Sequence, residues 1–86
     1  MKKLSKAQTK ALTTLVNNAQ TASAPITEFY SRIPGLHYTA QYWLVKHGYM
    51  IEKVMPNDHN EYFHRVYCIT QKGLAAFESG YQNAQR

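Results

Sequence analysis

Eighty-six residues suffice for one compact core and exclude a cleft between domains, since a chain this short buries only about 60–65% of its unfolded surface. A hydrophobic content of 44% with 13% aromatics, seven tyrosines and Trp43 among them, excludes a disordered chain. Ten Lys and Arg against five Asp and Glu leave a formal charge of +5, a field that attracts polyanions.

The chain is expected to form one domain over residues 1–80, followed by a polar tail over 81–86. Its first segment, Leu4 to Ala22, carries apolar residues at Leu4, Ala7, Ala11, Leu12, Leu15, Val16 and Ala19. That spacing makes one stripe on a helix, with Ser5 as its cap and Pro25 beyond its end. A second, short helix is predicted from Thr27 to Ile33, with Thr27 as N-cap, Glu28 in the first turn, and Ile26, Phe29, Tyr30 and Ile33 turned inward. Pro34-Gly35 ends it. A third helix is predicted from His37 to His47, with Gly48 at the position after a helix where a left-handed residue is wanted. Two helices joined by a short turn containing Gly form a helix-turn-helix.

Beyond Gly48 the period changes. Tyr49 to Met55 reads as a strand, Pro56 to Glu61 as a hairpin loop, and Tyr62 to Thr70 as the returning strand. Gln71-Lys72-Gly73 leads to a short last helix from Leu74 to about Ser79. The fold class is therefore α+β.

The order of elements, the stretch Gly48-Tyr49-Met50-Ile51, the polar hairpin loop and the return Ile69-Thr70-x-x-Gly73 are similar to the winged helix-turn-helix superfamily of bacterial and phage regulators. The likeness spans about 60 residues if the first two helices are counted. It implies a three-helix core, a two-stranded hairpin wing, a short C-terminal helix and binding to double-stranded DNA. One departure stands out: many relatives carry an apolar residue seven positions before the helix-ending glycine, where this chain has Gln41. Ala40 and Leu44 are then expected to meet the core instead.

With Leu44 facing inward, Ala40, His37 and His47 fall near it, while Thr39, Tyr42 and Lys46 fall on the opposite face and Tyr38 at the border. These residues are the candidates for the major groove: Thr39 for a base edge or thymine methyl, Lys46 for phosphate or guanine, Tyr42 for phosphate. Arg32, near the end of the second helix, is a phosphate candidate. The resemblance adds the wing, where Asn57, His59, Asn60 and Arg65 would reach a minor groove or the backbone, with His64 beside them and Asp58 and Glu61 opposing close phosphate contact. Lys2, Lys3, Lys6 and Lys10 at the start can add sequence-blind affinity, or simply solubilise a helix face.

Other chemistry is weakly supported. His37, His47, His59, His64 and Cys68 lack the spacing of a metal site, no Gly-rich phosphate loop occurs, and the five carboxylates are not paired as acid and base. No metal, no cofactor and no catalytic activity are expected. Cys68, the single cysteine, reads as a small buried strand residue and points to a reducing compartment. The absence of an apolar run of membrane-spanning length, and of an apolar stretch after Met-Lys-Lys-Leu-Ser-Lys, leads to an expected cytoplasmic location without a membrane partner. A homodimer is expected, through the first helix or the tail.

The rival expectation is a winged-helix protein-interaction module, an inhibitor or adaptor of a host protein, without DNA binding. Eleven aromatic side chains, from Phe29 and Tyr30 through Trp43 to Phe77 and Tyr81, are more than so small a core holds, so some must be exposed. Thr39, Lys46 and Arg32 on one positive face would favour DNA. An apolar or acidic face there would favour the rival.

Overall fold

The computed structural model describes residues 4–56 and 63–84, and with them an α+β arrangement of three α-helices and one antiparallel hairpin. Helix α1 spans Lys6–Thr21 and begins where the sequence offers a capping box. Ser5 Oγ accepts from Gln8 N at 3.2 Å, and Gln8 Oε1 accepts from Ser5 N at 2.8 Å. Its stripe of Ala11, Leu12, Leu15, Val16 and Ala19 is buried, as the periodicity predicts. The helix closes with Ala24 N donating to Ala19 O and Ser23 N donating to Gln20 O, which places Ser23 at φ +53.

The expected second helix does not form. A single 3-10 turn spans Ile26–Glu28, and the chain then runs extended to Ile33. Two interactions hold it so. Ser31 exchanges both backbone hydrogen bonds with Tyr67 (2.9 and 2.8 Å), and Asn18 Nδ2 donates to Ser31 Oγ (3.1 Å) and Arg32 O (3.4 Å). Thr27 caps nothing, because the turn has no side-chain cap. Phe29, Ser31 and Ile33 are half-buried while Tyr30 and Arg32 are exposed, so the period is two rather than three and four. Pro34, which disfavours a helical conformation at Ile33, adds to the preference.

Helix α2 covers Tyr38–Lys46, between the caps His37 and His47. Its C-terminus is a Schellman motif: Tyr49 N donates to Leu44 O at 2.8 Å and Gly48 N to Val45 O at 3.1 Å. This geometry sets Gly48 at φ +78, where glycine alone is unstrained. Lys72 Nζ also donates to His47 O at 2.8 Å and lies 4.9 Å from the centre of the Tyr49 ring.

Strands β1 (Met50–Pro56) and β2 (Phe63–Ile69) pair antiparallel with Met50 opposite Ile69, Glu52 opposite Tyr67 and Val54 opposite Arg65. Ser31 adds a third backbone partner on the other side of β2, which leaves β1 as the outer strand among the described residues. Cys68 is buried, as expected of a strand interior. The loop residues Asn57, Asp58, His59, Asn60 and Glu61 lie outside the described residues.

Helix α3 covers Gln71–Ala84, starting earlier and ending later than the expected Leu74–Ser79, and so runs into the stretch expected as tail. Thr70 explains the start. Its Oγ1 accepts from Gly73 N at 3.0 Å and donates to Gly48 O at 2.6 Å, while Thr70 O accepts from Leu74 N at 2.8 Å. The Thr-x-x-Gly return thus ties the end of α2 to the start of α3. Gly73 is required there, since a Cβ would lie 2.0 Å from Tyr49 O.

The core joins Leu12, Leu15 and Val16 of α1, Leu44 of α2, Met50 of β1, and Tyr67 and Ile69 of β2, with Leu74 and Phe77 of α3 packed against it. Residues of α1, α2 and α3 contribute to it or pack against it, with no α-helix at 27–33. No described helix is long and apolar enough to cross a membrane.

Candidate nucleic-acid interface

Helix α2 has one buried side and one open side. Ala40 and Leu44 are buried, whereas Tyr38, Thr39, Tyr42 and Lys46 are exposed, which is the orientation read from the sequence. The expectation that His37 and His47 lie near the core does not hold. Both are exposed, because they occupy the two caps, where the backbone leaves the helix and the wheel no longer applies. His37 Nδ1 meets Thr39 N at 3.4 Å and Thr39 Oγ1 at 2.9 Å, and His47 stacks on Trp43 with ring centres 4.1 Å apart.

The open side is a ladder. Tyr38 and Tyr42 stack at 6.2 Å between ring centres, and Lys46 Nζ stands 5.6 Å from the centre of the Tyr42 ring. Positions i, i+4 and i+8 align in this way on one helix face. Tyr38 and Tyr42 are 69% and 53% exposed, more than any other large apolar side chain described. No acidic residue occurs in α2.

Gln41 answers the departure noted in the sequence. It turns sideways rather than inward, and its Nε2 donates to Glu52 Oε2 on β1. Arg65 Nε lies 3.6 Å from Glu52 Oε1, so one carboxylate links α2, β1 and β2. The Tyr67 hydroxyl shares this surrounding, and its pKa is pushed above 10.0, first by burial and then by the Glu52 charge. Burial likewise pushes the Cys68 thiol up.

Arg32, Tyr38 and Arg65 come together around an open groove of about 770 Å³ between the 32–36 loop, the start of α2 and β2. Tyr42 and Lys46 continue from Tyr38 along α2, and Thr39 is exposed on the same helix, so three of the nine sequence candidates line one groove and three more are exposed on α2. The other three, Asn57, His59 and Asn60, lie outside the described residues. Sequence reasoning did not single out Gln41 and Glu52 as a pair. Their link crosses from helix to strand over eleven positions, and only the fold reveals it. Arg32 reaches the groove from an extended segment, not from a helix end.

Among the described residues, no three His, Cys, Asp or Glu side chains gather as metal ligands would. Compared with family models, curated proteins and solved structures, the chain matches none of them.

Proposed function

We propose that this chain binds double-stranded DNA in the manner of a winged-helix regulator, with α2 as the reading helix. The observation that carries the reading is the acid-free face of α2, where Tyr38, Thr39, Tyr42 and Lys46 stand exposed opposite Ala40 and Leu44, with Arg32 and Arg65 at its flank. The major groove, about 12 Å wide, admits one helix. The Thr39 hydroxyl is engaged by His37, so Thr39 offers mainly its methyl group to thymine. Lys46, Arg32 and Arg65 supply phosphate contacts, although Glu52 offsets part of the Arg65 charge. No α-helix precedes the turn before α2; the extended segment there bridges to β2 through Ser31 and Tyr67. A homodimer on a symmetric site would raise affinity and specificity. The test is duplex binding across a salt series, with Lys46→Ala expected to reduce the salt slope by about one ion.

The second reading, a protein-interaction module, draws on the outer strand β1, where Ile51 and Val54 are 49% and 52% exposed. Symmetric self-pairing centred on the middle of that strand would set Lys53 against its own copy, which is unfavourable. A different protein would therefore be the partner there. Failure to bind duplex DNA at low salt would favour this reading.

A further inference from the structure

The groove beside α2 combines three kinds of surface that a helix face presented to a duplex does not need. One wall carries two cations, Arg32 from the extended segment and Arg65 from β2, with the His64 side chain beside them. Arg32 makes no ion pair among the described residues, while Arg65 is held in place by Glu52, whose second oxygen takes the Gln41 amide. One wall is aromatic. Tyr42 has Tyr38 on one side and Lys46 on the other and does not line the groove, whereas Tyr38 lines it and is the more exposed of the two rings. The third surface is apolar, made by Ile33, Pro34 and Leu36. A concavity of about 770 Å³ falls within the range of about 300–1,000 Å³ for small-molecule sites.

From this juxtaposition we infer that the groove binds a free nucleoside monophosphate, with its base against Tyr38 and its phosphate between Arg32 and Arg65. Stacking on an exposed tyrosine accepts any base, because every base has a π-face. Guanidinium groups suit the phosphate oxygens by their planar fork of donors. The charge favours a monoester over a strand. Arg32 and Arg65 line the groove with one carboxylate, Glu52, beside them, and a terminal phosphate brings a charge of about −1.5 to −2, where a phosphodiester brings one, so the same guanidinium groups attract it more strongly. The site stands on the groove alone and is independent of duplex binding. If both hold, the nucleotide competes for Tyr38 and the two arginines and thereby regulates the helix.

The test is an NMR titration of the full chain, without duplex, using adenosine 5′-monophosphate, adenosine, inorganic phosphate and a short oligodeoxyadenylate lacking a terminal phosphate. The expected result is saturable binding of the monophosphate, with adenosine and phosphate each weaker by about tenfold or more. Arg32→Gln and Tyr38→Ala should each weaken it by about tenfold as well, and both positions are exposed enough to leave folding unchanged. No saturable binding of the monophosphate, or equal binding by both variants, would overturn the inference. Tighter binding of the oligonucleotide through the same residues would overturn it in favour of an unpaired strand.

Discussion

Replacing Gly73 with alanine sets two effects of opposite sign against each other. Within a helix, alanine is favoured over glycine by about 1 kcal/mol, so α3 considered alone would gain stability. The packing opposes this. The new Cβ would lie 2.0 Å from Tyr49 O and 2.9 Å from Ile69 Cγ1, and the carbonyl would have to retreat by about 1 Å merely to reach 3.0 Å. That carbonyl accepts from Thr70 N at 3.2 Å, and Tyr49 N closes the Schellman motif on Leu44 O, so the retreat loosens both ends of the junction. Overpacking costs about 1–3 kcal/mol and a weakened hydrogen bond about 1 kcal/mol, which leaves a net loss of about 1–3 kcal/mol after the helix gain. For a domain of this size that corresponds to a melting temperature lower by roughly 5–20 °C. Thermal unfolding followed by circular dichroism measures it. An unchanged or raised midpoint would refute the close approach of Gly73 to Tyr49, and with it the structural reading of the Thr-x-x-Gly return.

Leu44→Ala should cost about 2–5 kcal/mol in chemical denaturation, against less than about 0.5 kcal/mol for Thr39→Ala on the exposed face; comparable losses would mean that α2 is turned differently. Ser23→Gly should stabilise by about 0.5–1 kcal/mol, because Ser23 sits at φ +53, and a lower midpoint would contradict that backbone conformation. Tyr67 has a folded pKa raised above its unfolded value of 10.0, so its contribution is fully present below that pH and is lost as pH rises through the folded value. Unfolding at a series of alkaline pH values should therefore show stability falling above pH 10, less so in Tyr67→Phe. An identical slope in the variant would remove Tyr67 as the cause.

The elements whose residues repeat with one clear period were legible in the sequence. Helix α1 followed from the stripe Ala11, Leu12, Leu15, Val16 and Ala19, and α2 from its caps and Gly48. The hairpin followed from the change of period after Gly48. The segment 27–33 misled because Ile26, Phe29, Tyr30 and Ile33 satisfy helical spacing, while Phe29, Ser31 and Ile33 satisfy strand spacing equally well. Pairing with Tyr67, thirty-six positions after Ser31, decides between them, and local sequence does not carry such a contact. The start of α3 was missed because Thr70 was read as the end of a strand rather than as a cap. Within the candidate interface, the exposed face of α2 was readable from Leu44 alone. The groove was not, since it depends on Arg32, Gln41 and Arg65 converging from three separate elements.

The most direct test of the DNA reading is the salt dependence of duplex binding, comparing random-sequence DNA with the DNA upstream of the gene for this chain, for the unaltered protein and Lys46→Ala. Phosphate contacts by Lys46, Arg32 and Arg65 predict a log–log slope of about −3 per protomer, reduced to about −2 in the variant, and base contacts from the exposed face of α2 predict tighter binding to the upstream DNA than to random sequence. Absence of binding at low salt, or a slope unchanged by the substitution, would contradict the placement of α2 on DNA.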